Sequence, residues 1–165
     1  MNPAQRSAHM AKIKSKNTKP ELLLRKKLHA LGFRYRLHDA KLPGRPDLVF
    51  PSRKKVVFVN GCFWHGHHCP VGTRLPKSNT AFWIDKRKRN QARDQRQISM
   101  LNELGWECLV VWECTIKAAS GVPDEVIRYL QAAPLHPTRP DVGTCNHKPT
   151  ELPPYGADHL PKKEP

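Results

Sequence analysis

Lys55-Val56-Val57-Phe58-Val59-Asn60-Gly61-Cys62-Phe63-Trp64-His65-Gly66-His67-His68-Cys69 runs from a short apolar segment straight into a cluster of cysteine and histidine. Residues Lys55 to Val59 predict a strand in mid-sheet, covered on both faces. The nine residues from Gly61 to Cys69 hold two of the five cysteines and three of the nine histidines. Thiolate and neutral imidazole are the ligands zinc prefers. The spacing Cys62-x4-His67-x-Cys69 offers three of them from one loop, and a tetrahedral structural site needs a fourth. Cys114 is the best candidate, because the apolar run Leu109-Val110-Val111-Trp112 predicts a second strand that returns it to the same edge. The alternative is a set of buried thiols beside exposed histidines, which leaves Phe63-Trp64 between polar ligands unexplained.

Working backwards, Pro51 to Lys54 is a turn and Asp47 to Phe50 a short strand. Asp39 to Pro46 is a loop with two prolines and a glycine, and Phe33 to Leu37 alternates as a half-exposed strand does. Thr18-Lys19-Pro20-Glu21 reads as a helix start, with a Thr cap, Pro in the first turn and Glu three after the cap. Leu24, Leu28 and Leu31 share one face of that helix, Arg25, Lys26 and Lys27 fall largely outside it, and Gly32 ends it. Working forwards, Thr80 to Leu104 is a long helix with the basic stretch Lys86-Arg87-Lys88-Arg89, closed by Gly105. Trp106 to Glu113 is a strand, and Pro123-Asp124-Glu125 starts a last helix carrying Val126, Ile127 and Leu130. The order α-β-β-β-α-β-α predicts an α/β fold, a mixed central sheet flanked by helices.

At 165 residues the chain is long enough for one domain with a core. Its net charge is +15, and all of it falls within the first 133 residues, because basic and acidic groups balance from Pro134 onward. A compact body this basic points to a polyanion, most often nucleic acid. Residues 1–17 form a basic arm in which Met10 and Ile13 give one weak apolar stripe. Residues 18–133 hold the patterned elements. Residues 134–165 hold eight of the sixteen prolines and read as a disordered tail, in which Cys145 and His147, spaced Cys-x-His, read as isolated reactive side chains in preference to a second metal site. Irregularly spaced cysteines beside a histidine cluster favour metal in a reducing compartment over a disulfide framework. No apolar run reaches the roughly 20 residues that span a bilayer. A cytoplasmic, nucleoid-associated protein is expected.

Leu42-Pro43-Gly44-Arg45-Pro46-Asp47 sets an acid at the start of a strand, at an angle fixed by the preceding proline. A carboxylate there suits Mg²⁺, a hard ion that takes oxygen ligands and keeps several waters. An Asp after Pro is also an ordinary turn residue. Further blocks set it in context: Asn17-Thr18-Lys19-Pro20-Glu21, Phe58-Val59-Asn60-Gly61-Cys62-Phe63-Trp64-His65-Gly66-His67, Phe82-Trp83, and Leu104-Gly105-Trp106 to Val111-Trp112-Glu113-Cys114. In this order they closely resemble the very short patch repair (Vsr) DNA mismatch endonucleases of bacteria, over about residues 6–133.

The resemblance implies a restriction-endonuclease-like fold with a structural zinc site, and makes residues 18–133 the endonuclease domain. It implies nicking of DNA 5′ to the T of T·G mismatches left by deaminated 5-methylcytosine. Asp47 would be the central Mg²⁺ ligand, with the main-chain carbonyl of Val59 as another, and two ions are expected. His65 matches the residue that transfers a proton at the attacking water, Asp94 an acid near it, and Glu21 an acid facing the metal centre. On residues alone, Glu21 reads equally as a capping carboxylate. Cys62, His67, Cys69 and Cys114 match zinc ligands, and Phe63, Trp64 and Trp83 match aromatics that wedge into the base stack. The arm with Met10 and Ile13 matches one that clamps DNA from the minor-groove side.

The second acid and the lysine usual in restriction-type sites are absent around Phe58 to Asn60, as they are in the family. Asn60 stands where some relatives carry His, so proton transfer falls to His65. Cys108 has no role in the pattern, and the tail lies outside it. The expected partner is double-stranded DNA with a T·G mismatch, with a functional link to a DNA cytosine methyltransferase and no membrane. A monomer is expected, since a lone mismatch lacks two-fold symmetry. The rival readings are a non-catalytic zinc-dependent DNA-binding module and a general nuclease that cuts matched duplex.

Overall fold

The computed structural model describes residues 16–133. Helix α1 (Lys19–Ala30) is followed by β1 (Arg36–Leu37), β2 (Leu48–Phe50), a 3-10 turn (Pro51–Arg53) and β3 (Lys55–Asn60). Two short helices come next, α2 (Cys62–His65) and α3 (Pro70–Thr73), and then the long α4 (Thr80–Glu103). The chain continues through β4 (Glu107–Trp112), α5 (Glu113–Ala118) and α6 (Asp124–Gln131). The strands form one sheet in the order β1-β2-β3-β4. Pairs β1·β2 and β2·β3 are antiparallel, and β3·β4 is parallel through the crossover that contains α4. This is the mixed α/β sheet that the apolar runs predict.

The strand period of two divides the core between the faces of the sheet. Leu48 and Phe50 of β2, Val57 of β3 and Val111 of β4 face Leu24 and Leu28 of α1, Ile116 of α5, and Val126 and Leu130 of α6. Val49 and Val56 point the other way, onto Leu101 of α4, with Phe58, Trp106 and Cys108 around them. The core is therefore two-sided, with the sheet as its middle layer.

Four details depart from the sequence pattern. Only Arg36 and Leu37 of the alternating segment pair with a neighbour, while Phe33 and Tyr35 pack edge-on against Phe50 at 6.4 and 5.8 Å. Leu31 is exposed rather than on the core face, because the helix ends at Ala30. Arg25 is buried instead of outside, and its backbone carbonyl accepts from the Tyr35 hydroxyl at 2.9 Å. Lys55 is buried at the start of an apolar strand, where its Nζ donates to the Tyr129 and Ala132 carbonyls at 2.6 and 2.8 Å. Those carbonyls lie at the C-terminal end of α6, where a cation is favourable.

Met10, Ile13 and the rest of 1–15, and the tail from 134 with Cys145 and His147, lie outside the described residues. No helix among the described residues is long and apolar enough to cross a membrane.

Candidate functional site

The parallel register of β3 and β4 assembles the cysteine–histidine group. Asn60 pairs with Trp112, so Cys62 and Cys114, each two residues further on, leave the sheet at the same edge. Between them the chain turns through Gly66 and returns His67 and Cys69. The side-chain ligand atoms of Cys62, His67, Cys69 and Cys114 lie within 4.8 Å of one another. His67 Nδ1 sits 3.5 Å from Cys114 Sγ, and its ring stacks on Trp112 at 4.3 Å between centroids. Gly72 is required by the tightness of this loop, since a Cβ there would lie 2.0 Å from the His67 carbonyl oxygen.

Burial pushes the Cys62 thiol up to about 12, with the neighbouring thiols adding to the rise. At Cys69 burial also raises the thiol, but the backbone N–H groups of Gly72 and Val71 and the Cys62 thiol outweigh it, and the net shift is down. Burial, assisted by His68, lowers His67 and keeps its imidazole neutral. Three sulfurs and one neutral nitrogen thus converge at one point, where a cation would favour the thiolate form of all three.

A second group lies at the same end of the sheet, where the start of the antiparallel β2 meets the C-terminal end of β3. Asp47 immediately precedes β2, and its Oδ2 accepts the Val59 N–H at 2.7 Å. Its Oδ1 faces His38 Nδ1 at 3.7 Å. Glu21 is almost fully buried and serves three partners at once. Its Oε2 accepts the Thr18 N–H at 3.0 Å, while its Oε1 meets Arg25 Nη2 and lies 3.2 Å from His38 Nε2. The capping role and the position beside Asp47 are therefore compatible. Arg25 also donates from Nη1 to Asn17 Oδ1 at 2.6 Å. The ligand atoms of Glu21, His38 and Asp47 lie within 4.8 Å of one another. Burial pushes the Asp47 carboxyl up to about 6; the Val59 N–H opposes this and the charge on Glu21 adds to it. A carboxylate raised by burial and by a second acid is the signature of a site where a cation or a proton is wanted.

His65 lies at the end of α2, and Asp94 on α4 takes its Nδ1. Arg93 donates to the other oxygen of Asp94 at 3.2 Å. Helix α4 holds the His65 loop in place: Asn90 donates to the Trp64 carbonyl at 3.0 Å and Gln91 to the His65 carbonyl at 2.9 Å. Asn60 and Asp94 border a cavity of about 20 Å³, room for a single water.

Phe63, Trp64 and Trp83 form one half-buried aromatic cluster, with ring centroids 5.2 to 5.9 Å apart. Lys86 Nζ stands 5.7 Å from the Trp64, Trp83 and Phe82 rings, and the Arg87 guanidinium lies 4.6 Å from the Phe63 centroid. Aromatic faces flanked by cations on a basic helix suit stacked bases and phosphates.

Residues 1–71 match the family described as DNA mismatch endonuclease Vsr. The chain is 50% identical over 116 residues to the "Type II nicking enzyme V.XorIIP" of Xanthomonas oryzae pv. oryzae (strain KACC10331 / KXO85), a match covering 70% of this chain and 85% of that protein. It is 43% identical over 124 residues to the "DNA mismatch endonuclease Vsr" of Escherichia coli (strain K12), covering 75% of this chain and 79% of that one. The chain belongs to the Vsr family of DNA mismatch endonucleases. It is a nuclease acting on DNA, of the mismatch-repair kind. The match to the "Type II nicking enzyme V.NmeAIP" of Neisseria meningitidis serogroup A / serotype 4A (strain DSM 15465 / Z2491), 49% over 114 residues, has a similar extent.

Within this Vsr-family chain, His38 and Arg25 are the polar residues of the second group that sequence reading passes over. His38 follows a half-exposed strand and precedes an Asp, with no spacing to mark it. Arg25 sits among Lys26 and Lys27 and reads as part of a solvated face.

Proposed function

We propose that the chain nicks one strand of duplex DNA 5′ to the T of T·G mismatches arising from deaminated 5-methylcytosine, by Mg²⁺-assisted hydrolysis on a restriction-endonuclease-like fold. The observation that carries this reading is Asp47: a half-buried carboxylate at a strand end, fixed by the Val59 N–H and grouped with the buried acid Glu21. Family membership supplies the substrate class.

The donors at Asp47 fit a divalent cation. Carboxylate oxygens, with the Val59 carbonyl as the further ligand, are hard donors of the kind Mg²⁺ takes. Bound there, Mg²⁺ supplies charge stabilisation at the scissile phosphate and a more acidic water. His65 takes the proton. Asp94 holds His65 Nδ1 as the protonated nitrogen, which leaves the Nε2 lone pair to act as base.

Zinc fits the other group. Cys62, His67, Cys69 and Cys114 are four soft or borderline donors, which leave no open position and confine the ion to holding the loop that bears Phe63 and Trp64. Those rings with Trp83 serve as a wedge, and a mismatched step costs less to unstack than a paired one. Lys86, Lys88, Arg89 and Arg93 of α4 bind backbone phosphates. The protein acts as a monomer near the nucleoid in the cytoplasm, following a DNA cytosine methyltransferase whose products it repairs.

Asp47→Ala tests this. Nicking of a T·G duplex is expected to disappear while binding of the same duplex is largely retained. A variant that nicks at close to the wild-type rate with Mg²⁺ would place the centre elsewhere.

A further inference from the structure

We propose that His38 is a metal ligand of the Asp47 centre and tilts it towards first-row transition ions such as Mn²⁺ over Mg²⁺. This rests on the reading of Asp47 as a metal-holding carboxylate and adds to it a nitrogen donor. His38 follows β1 with a left-handed backbone, φ 47°, and its ring lies between Glu21 and Asp47. Its Nδ1 stands 3.7 Å from Asp47 Oδ1. That separation is too long for a hydrogen bond and suits two donors flanking one ion. The Glu21 carboxylate completes a group whose ligand atoms all lie within 4.8 Å of one another.

The other ring nitrogen decides whether Nδ1 is available. Nε2 lies 2.8 Å from Arg25 Nη2 and 3.2 Å from Glu21 Oε1. At 2.8 Å from a guanidinium, which only donates, Nε2 is the acceptor, so the ring proton resides on Nδ1. Transfer of that proton to Nε2, where Glu21 Oε1 accepts its hydrogen bond, exposes the Nδ1 lone pair towards Asp47. The ring remains neutral in both tautomers. Two donors cannot share the 2.8 Å between Nε2 and Arg25 Nη2, so Arg25 draws back from the ring and keeps Asn17 and Glu21 as its partners. A metal-binding histidine commonly donates its second N–H to a carboxylate in this way. Imidazole nitrogen suits transition ions, whereas Mg²⁺ favours oxygen and water. The competing account makes His38 a plain ion-pair partner of Glu21, with no say in which metal binds.

The test is Mn²⁺ binding to the full-length, zinc-loaded protein without DNA, followed by loss of the free Mn²⁺ signal in electron paramagnetic resonance. Mg²⁺ affinity is read by competition. His38→Asn is the main variant, since Asn tolerates a left-handed backbone and offers oxygen in place of the ring nitrogen. It is expected to weaken Mn²⁺ binding about tenfold or more and Mg²⁺ binding by less than about threefold. A ¹⁴N coupling on the bound Mn²⁺ is expected to vanish with it. Asp47→Ala loses both ions. If His38→Asn binds both ions as the wild type does, or weakens both equally, while Asp47→Ala loses both, then His38 does not set metal choice and the Asp47 centre stands. If Asp47→Ala keeps both ions, the centre itself is misplaced and this inference fails with it. Melting temperature verifies folding, and His38→Gln replaces His38→Asn if the latter unfolds.

Discussion

Asp47→Asn is expected to make the protein more stable and inactive at once. The substitution keeps shape, and the Asn side-chain oxygen still accepts the Val59 N–H that Asp47 Oδ2 accepts at 2.7 Å. Its amide group faces Glu21 and His38 in place of a charged oxygen. What disappears is a half-buried negative charge beside a second acid. Burial lifts the Asp47 carboxyl from 3.8 to about 6. A native value above the unfolded one means that the folded chain binds the extra proton. Folding stability therefore falls as pH rises from about 4 to about 6 and stays reduced above that window. Two units correspond to about 3 kcal/mol as an upper bound, and the partly open position of Asp47 brings the expected gain to about 1–2 kcal/mol. In melting temperature this is roughly 3–8 °C. The assay is thermal unfolding of wild type and Asp47→Asn, zinc-loaded and without added Mg²⁺, at several values from about pH 4.5 to about pH 8. The difference is expected to be about a third of its full size at the acid end and to grow to a plateau above about pH 7. Equal melting at neutral pH, or a difference that ignores pH, would refute the account of Asp47 as a strained, charged carboxylate.

Cys114→Ala is expected to lower zinc content and melting temperature together, because it opens the four-ligand group, whereas Cys108→Ala, on β4 beside Leu101 and outside that group, retains its zinc; the reverse outcome overturns the ligand assignment. Trp64→Ala is expected to slow single-turnover nicking of T·G duplex by roughly tenfold or more, as loss of base–aromatic stacking worth about 1–3 kcal/mol requires. Its stability cost should stay below the roughly 3–5 kcal/mol of a core tryptophan. A large fall in melting temperature with unchanged activity per folded molecule would place Trp64 in the core instead.

The zinc-type group was legible because its signal is local. Three ligands occur within nine residues, and the fourth sits at the end of an apolar run that has to pair beside the first. The two-faced core was legible for a similar reason, since Leu48, Val49 and Phe50 alternate between faces as any strand does. The short helices α2, α3 and α5 escaped: segments of four to six residues show no helical period, and each is held by the loop or ligand group it serves. The neighbourhood of Asp47 was legible only in part. Asp47 stands out after Pro46, but His38 and Arg25 reach it from separate elements, and nothing in their local sequence announces the meeting. Lys55 was hidden differently: a lysine at a strand start reads as exposed until the carbonyls at the end of α6, more than seventy residues away, are seen to receive it.

Single-turnover nicking of two duplexes that differ only in one pair, T·G against T·A, with purified protein and Mg²⁺, tests the central claim most directly. The account predicts one nick, 5′ to the mismatched T, and little or no cutting of the T·A duplex. Equal cutting of both duplexes, or binding of the T·G duplex with no nick in either, would contradict it.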